Sequence, residues 1–244
     1  MVYVIGHSGT NSAAPVRLPR ALLLDLDGTL IDSAPDIAAA LGEVLATRGI
    51  DPIPVAQVRR LIGHGIGSLV REAFALSGAP VADEVLPDAQ QEMAKRYAAQ
   101  LVARTVLLPG AADLIARCSR AGIRLACVTN KPRQMAESIL GHFRLAPPIA
   151  VIIGGDMGIA RKPAPEPLLV ALDRLGVARG EAWMVGDGIP DHRAARAAGI
   201  PSIAVASDYG EPFDGAAEAT ISLGTLGEVI DLLDDLGARA GARK

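Results

Sequence analysis

Residues Ala21–Asp36, "ALLLDLDGTLIDSAPD", end an aliphatic run in two carboxylates, Asp25 and Asp27, followed at once by Gly28. A continuous aliphatic run suits a strand buried on both faces. An ionised carboxylate at the end of such a strand costs several kcal/mol unless something partners it. Residues two apart on a strand project to one side, so Asp25 and Asp27 can face a common ligand while Leu26 faces away. Gly28 then allows the chain to turn.

Outward from this stretch, the second half of the chain alternates short apolar runs with helical patterns. "GIRLACVTN", "IAVIIGG", "AWMVGDG", "PSIAVAS" and "ATISL" read as buried strands. Ala111, Leu114, Ile115 and Cys118 recur at helical spacing, as do Leu226, Val229, Ile230 and Leu233. Pro132 and Pro167 mark helix starts, and Gly176 and Gly199 mark helix ends. The repeating βα pattern predicts an α/β fold, a doubly wound and mostly parallel sheet with helices on both faces.

Residues 35–104 break the rhythm. Ile37, Leu41, Val44 and Leu45 mark one amphipathic helix, and Met93, Tyr97 and Leu101 another, with no strand between them. The expected organisation is an α/β core over 20–34 and 105–236 and an all-helical cap over 35–104, hinged near Ser33–Pro35 and Arg104–Pro109. Residues 1–19 and 237–244 are expected to be flexible ends. An insertion after the first strand emerges at the C-terminal edge of the sheet, where ligands bind in open α/β folds, so it reads as a lid.

Composition narrows the function classes. Half of the 244 residues are apolar, enough for a sizeable core. No apolar run approaches the roughly 20 residues of a membrane span, and the N-terminus lacks the basic and hydrophobic regions of a signal peptide. Two cysteines in apolar patterns, Cys118 and Cys127, argue against a disulfide framework or zinc site and fit a reducing cytoplasm. With a net charge of −3 and no basic stripe interleaved with aromatics, a nucleic-acid partner is not expected.

Polar residues end each of the core runs. "LACVTN" ends in Thr129 and Asn130, "AVIIGGD" leads to Lys162 in "IARKPAPEP", and "AWMVGDGIPD" carries Asp187 and Asp191. Singly, each has an ordinary explanation: a helix cap, a solvated lysine, or an acid favoured by a helix dipole. Together they put acids, a hydroxyl and a cation at one sheet edge. Clustered carboxylates call for a hard cation, and Mg²⁺ takes one or two carboxylates together with phosphate oxygens. Lys162 and Thr129 can hold the remaining oxygens of a phosphate while a carboxylate attacks phosphorus.

In this order and spacing, "DLDGTL", "VTNK", "KPAPEP" and "GDGIPD" resemble the four motifs of the haloacid dehalogenase superfamily of aspartate-nucleophile phosphatases, from about Leu22 to Leu233. The resemblance implies a core-plus-cap fold and Mg²⁺ as cofactor. It implies Asp25 as nucleophile and metal ligand, and Asp27 as general acid/base with its carbonyl on the metal. Thr129, Asn130 and Lys162 would bind the phosphoryl group, Asp187 would ligate the metal, and Asp191 would be a ligand or its neighbour. The expected partner is a small phosphate ester, with no nucleic acid or membrane, and the expected assembly a monomer or homodimer.

Within the superfamily, "DLDGTLIDSAPDI", "RRLIGHGIGSLV" and "GGDMGIARKPAPEPLL" most resemble phosphoglycolate phosphatases, which implies 2-phosphoglycolate as substrate. Similar caps occur in relatives acting on N-acetylmuramic acid 6-phosphate, sugar phosphates, nucleotides or pyrophosphate. Gly188 stands where Ser or Thr is frequent, His192 where an aliphatic is, and His64 where Asn is. "GHGIG", Gly63–Gly67, reads as a cap turn rather than a dinucleotide loop because no strand precedes it. It could present His64 and Gly65 to a small carboxylate, helped by Arg59 or Arg60. His7, His142 and His192 stand apart from metal-ligand spacing. Asp27 disfavours halide- and phosphonate-cleaving relatives, which lack it, whereas a sugar-phosphate mutase or a non-catalytic metabolite-binding protein would share the core.

Overall fold

The computed structural model describes residues 17–210 and 219–241. Its centre is a parallel sheet in the order β5-β4-β1-β6-β7-β8, formed by β1 (Ala21–Leu24), β4 (Arg124–Val128), β5 (Ile149–Ile153), β6 (Ala182–Gly186), β7 (Ser202–Val205) and β8 (Ile221–Leu223). β1 lies between β4 and β6, with Leu24 opposite Cys127 on one side and Val185 on the other. The strand order reverses about β1, where α/β sheets open a crevice. The two acids therefore emerge at a topological switch point.

Alternation along the strands divides the core. Leu22, Leu24, Leu125, Cys127 and Val185 pack with Leu114 of α5 (Ala111–Arg120), Ile139 of α6 (Arg133–His142) and Val229 of α9 (Leu226–Gly241). Ala21, Leu23, Ala126, Val128 and Met184 pack on the other face with Leu168 of α7 (Glu166–Leu175) and Ala195 of α8 (Ile189–Ala198). Leu22, Leu23 and Leu24 are fully buried, each contributing about 2 kcal/mol from removal of apolar surface from water. Leu26 continues the first face, and Asp25 and Asp27 share the parity of Ala21 and Leu23.

Between β1 and α5 the chain leaves and returns through an antiparallel ribbon, β2 (Ile31–Asp32) with β3 (Val106–Leu107), pairing Ile31 with Leu107 and Asp32 with Val106. The intervening segment is helical: α1 (Ala34–Ala46), α2 (Val55–Leu61), α3 (Ile66–Leu76) and α4 (Leu86–Ala98). Its own core includes Leu41, Leu45, Val70, Phe74, Met93 and Tyr97, with Met135 and Tyr209 contributed from the α/β core. Asp36, fully buried, clamps the two crossings: its Oδ2 accepts from Arg104 N (2.9 Å), Thr105 N (2.8 Å) and Thr105 Oγ1 (2.8 Å).

α9 extends to Gly241, past the expected end of the core at residue 236, and Leu236 is buried in the core, so the helix has an apolar reason to continue. The expected flexible N-terminus falls outside the described residues up to 16, and residues 242–244 do so at the other end. Among the described residues, no helix is long and apolar enough to cross a membrane.

Candidate active site

At the end of β1, the Asp25 N–H donates to the Val185 carbonyl (3.0 Å), tying the acid to the neighbouring strand. The Lys162 ammonium, brought in between β5 and α7 and 3% exposed, lies 2.8 Å from Asp25 Oδ1 and 2.6 Å from Asp191 Oδ1. It also donates to the Val128 carbonyl (2.6 Å). Burial alone would favour the neutral amine, but the charges of Asp191 and Asp25 outweigh it and hold the ammonium. Asp191 also anchors the start of α8, where its Oδ2 accepts from Gly188 N (3.1 Å). A Cβ added to Gly186 would overlap that carboxylate, and one added to Gly28, whose φ is +83°, would overlap the carboxylate of Asp187 and the ring of Tyr209.

Carboxylate oxygens of Asp25, Asp187 and Asp191 approach to within 4.8 Å of one another. Burial first, then the Asp191 charge, pushes the Asp25 carboxyl up to about 7 against the pull of Lys162. Burial and the charges of Asp25 and Asp191 likewise hold Asp187 well above the usual carboxylate range, although Thr29 Oγ1 donates to it (2.7 Å). One lysine does not neutralise three crowded acids. An all-oxygen donor set with uncompensated negative charge fits a hard divalent cation.

Asp27 is engaged differently. Lys131 Nζ donates to both its oxygens (2.7 and 2.8 Å), the Ser33 hydroxyl donates to Oδ1, and Lys131 also donates to the Tyr97 hydroxyl of the cap (3.0 Å). Lys131 is 6% exposed; burial opposes its charge, but Asp27 and Tyr97 overcome this and raise its pKa. Two chambers meet at Asp25 and Asp27. One runs along Asp187, Gly188, Asp191, His64 and Arg193. The other, under the cap, combines Thr129 and Lys131 with the apolar side chains of Ile37, Ile62, Leu69 and Met93.

The remaining expected residues are distributed as follows. Thr129 borders the cap-side chamber, and its Oγ1 accepts from Lys131 N (3.2 Å). The Asn130 side chain is occupied by main chain: Nδ2 donates to Gly63 O (2.8 Å) and Lys162 O (2.9 Å), and Oδ1 accepts from Lys162 N (3.1 Å). It thereby joins the cap turn to the lysine loop. Gly65 borders the apolar chamber, but exposed His64 borders the other. Arg59 pairs with Asp32 Oδ2 (2.7 Å), its guanidinium lying 5.5 Å from the centre of the Tyr209 ring.

Lys131, Tyr97 and Tyr209 belong to this constellation but were not among the expected site residues. Lys131 had a usable signal, standing two places after Thr129 in "VTNK". Tyr97 read only as part of an amphipathic face. Tyr209 had none, because its hydrogen bonds to Ser33 N and Ala34 N span 176 and 175 residues.

A haloacid dehalogenase-like hydrolase family model matches residues 19–199. The phosphoglycolate phosphatase of Xanthomonas campestris pv. campestris (strain 8004) is 43% identical over 194 residues, covering 80% of this chain and 86% of that protein. That of Rhodospirillum rubrum is 39% identical over 224 residues, 90% of each chain. Among solved structures, CbbY from Rhodobacter sphaeroides in complex with phosphate superposes with a TM-score of 0.74 at 28% identity, covering 86% of this chain and 96% of that one.

Proposed function

As the chain belongs to the haloacid dehalogenase-like hydrolase family, we propose that it is a Mg²⁺-dependent phosphomonoesterase that converts 2-phosphoglycolate to glycolate and phosphate through an aspartyl-phosphate on Asp25. The observation that carries this reading is the convergence of Asp25, Asp27, Lys162 and the Asp187–Asp191 pair at one end of β1. The substrate is supported by the phosphoglycolate phosphatases that resemble the chain over four-fifths or more of its length.

Asp25, Asp187 and Asp191 would hold the Mg²⁺, with the Asp27 carbonyl beside them. Mg²⁺ would supply charge neutralisation to the phosphoryl oxygens and keep the nucleophile ionised. An Asp25 carboxylate oxygen attacks phosphorus, the bond from phosphorus to the ester oxygen breaks, and Asp27 gives that oxygen its proton. Asp27 then takes a proton from water, whose oxygen attacks phosphorus and returns the Asp25 carboxylate with inorganic phosphate. Lys162 and Thr129 hold phosphoryl oxygens as charge develops, which electrostatic preorganisation makes effective in a site shielded from water. Asn130 serves this geometry as a positioning residue, since its amide holds the Lys162 main chain.

The cap excludes water during the transfer. The two free thiols, Cys118 and Cys127, are both buried and accord with a reducing cytoplasm. Phosphate release in the presence of Mg²⁺ tests the assignment, measured across 2-phosphoglycolate, N-acetylmuramic acid 6-phosphate, hexose phosphates, nucleoside monophosphates and pyrophosphate. The highest kcat/KM is expected for 2-phosphoglycolate. A higher value for any other ester would move the specificity, and inactivity toward all of them would overturn the phosphatase assignment.

A further inference from the structure

Resting on the phosphomonoesterase reading, we infer that Lys131 is the specificity-determining residue of the site, binding an anionic carboxylate on the leaving group from beneath the cap. Three observations lead there. First, Lys131 is a buried cation beside the reacting acids that does not belong to the carboxylate cluster held by Lys162. The hydrogen-bond partners of its ammonium are Asp27, and Tyr97 from α4 of the cap.

Second, Lys131 borders the chamber on the cap side of Asp25 and Asp27, whereas Asp187 and Asp191 border the other. With the metal-binding acids on one side, the ester's organic group has the cap side to occupy. Third, the remaining wall there includes Ile37, Ile62, Ile66, Leu69 and Met93. Sugar hydroxyls against these side chains would lose water without gaining partners. A two-carbon group instead puts one methylene on the apolar wall and one carboxylate on the ammonium.

Arg59, one of the arginines expected to help at the cap turn, is already committed to Asp32. Lys131 carries three donors and can turn from Asp27 toward an incoming carboxylate while keeping the Tyr97 hydroxyl. The same ammonium thereby joins an anionic leaving group to α4 of the cap.

The test compares kcat/KM for 2-phosphoglycolate and for ethyl phosphate, which lacks the carboxylate, in the full-length wild type, Lys131→Met, Lys131→Arg and Tyr97→Phe, all with Mg²⁺. The wild type is expected to prefer 2-phosphoglycolate. Lys131→Met should reduce that preference by between about 10- and 150-fold, the range of a charged hydrogen bond, chiefly through KM. Lys131→Arg should restore part of it, and Tyr97→Phe should lower it less than Lys131→Met does.

Turnover of both esters with no wild-type preference overturns the role of Lys131 and leaves the phosphatase assignment standing. So does a preference that Lys131→Met retains. If Lys131→Met does not fold, the wild-type and Tyr97→Phe ratios decide, and a preference unchanged by Tyr97→Phe counts against the inference. A wild type that hydrolyses neither ester removes 2-phosphoglycolate as substrate and with it the role of Lys131, while the phosphatase assignment is then decided by the wider panel of esters.

Discussion

Removing one oxygen atom, by Tyr209→Phe, tests how the loop after β7 secures the crossing from β2 into α1. The Tyr209 hydroxyl donates to Asp32 Oδ1 (2.6 Å) and accepts from the buried N–H groups of Ser33 and Ala34, each at 2.8 Å. Ala34 N has a second acceptor, Asp32 Oδ1, at 3.3 Å, so the substitution strands chiefly the Ser33 N–H. An unsatisfied buried donor costs about 1–3 kcal/mol, and a hydrogen bond to a charged group contributes about 1.5–3 kcal/mol. Asp32 keeps its 2.7 Å pair with Arg59, which puts the loss at the lower end of that sum, about 3 kcal/mol. For a chain of this size that corresponds to a fall in Tm of about 9 °C, read by far-UV circular dichroism with Mg²⁺ present. A fall of less than about 2 °C would refute the reasoning, because the phenylalanine ring preserves the apolar contacts.

Asp25→Asn should still unfold cooperatively in urea yet show no turnover above background; activity within about tenfold of wild type would exclude Asp25 as nucleophile, since loss of such a group costs far more. The acidic cluster should make stabilisation by Mg²⁺ depend on pH. Asp25 is pushed up to about 7, and Asp187 is raised well above its ordinary value. The folded, metal-free protein therefore holds protons that the unfolded chain has released above about pH 4, and loses stability as pH rises toward 7. The rise in Tm on replacing EDTA by Mg²⁺ should thus grow between pH 5 and 8, and a constant increment would contradict the crowding argument. Asp36→Ala should lower stability by about 2–4 kcal/mol in urea titrations, because two main-chain N–H groups lose their acceptor, while the Thr105 hydroxyl keeps the Leu101 carbonyl at 3.0 Å; Asp36→Asn should recover part of this, and equal losses would show that the clamp does not act through an oxygen acceptor.

The sheet was legible because its strands are nearly uniform aliphatic runs punctuated by Gly and Pro, signals that need only local sequence. β1 to β8 follow the expected runs, apart from the short ribbon strands β2 and β3, whose pairing joins residues about 75 apart and leaves no periodic trace. The segment between them read as helical because its apolar spacing is that of helices, although α2 and α3 were less evident than α1 and α4. At the site, the acids and Lys162 stood out by position at strand ends. What tertiary structure alone decides was not legible. Arg59 looked like a cation free to reach a ligand, yet it pairs with Asp32 under the Tyr209 ring. Asn130 looked like a phosphate ligand, yet its amide joins two main-chain segments. Whether a polar side chain faces a ligand or the protein depends on partners far away in sequence, and no periodicity encodes them.

The β2–β3 ribbon bears on how such a molecule can be assembled. Because Ile31 and Asp32 sit directly across from Leu107 and Val106, the helical segment leaves and re-enters the core at points whose Cα atoms are about 5 Å apart. To the α/β core, the insertion is therefore one closed excursion, and a tight turn joining the ribbon could replace it without moving a strand of the main sheet. The helical segment buries an apolar cluster of its own and borrows Met135 and Tyr209 from the core. Modules joined in this way can be exchanged between scaffolds while the chemical machinery stays in place, so replacing a single stretch of chain changes the apolar wall that faces the ester and leaves Lys131 and the acids where they are.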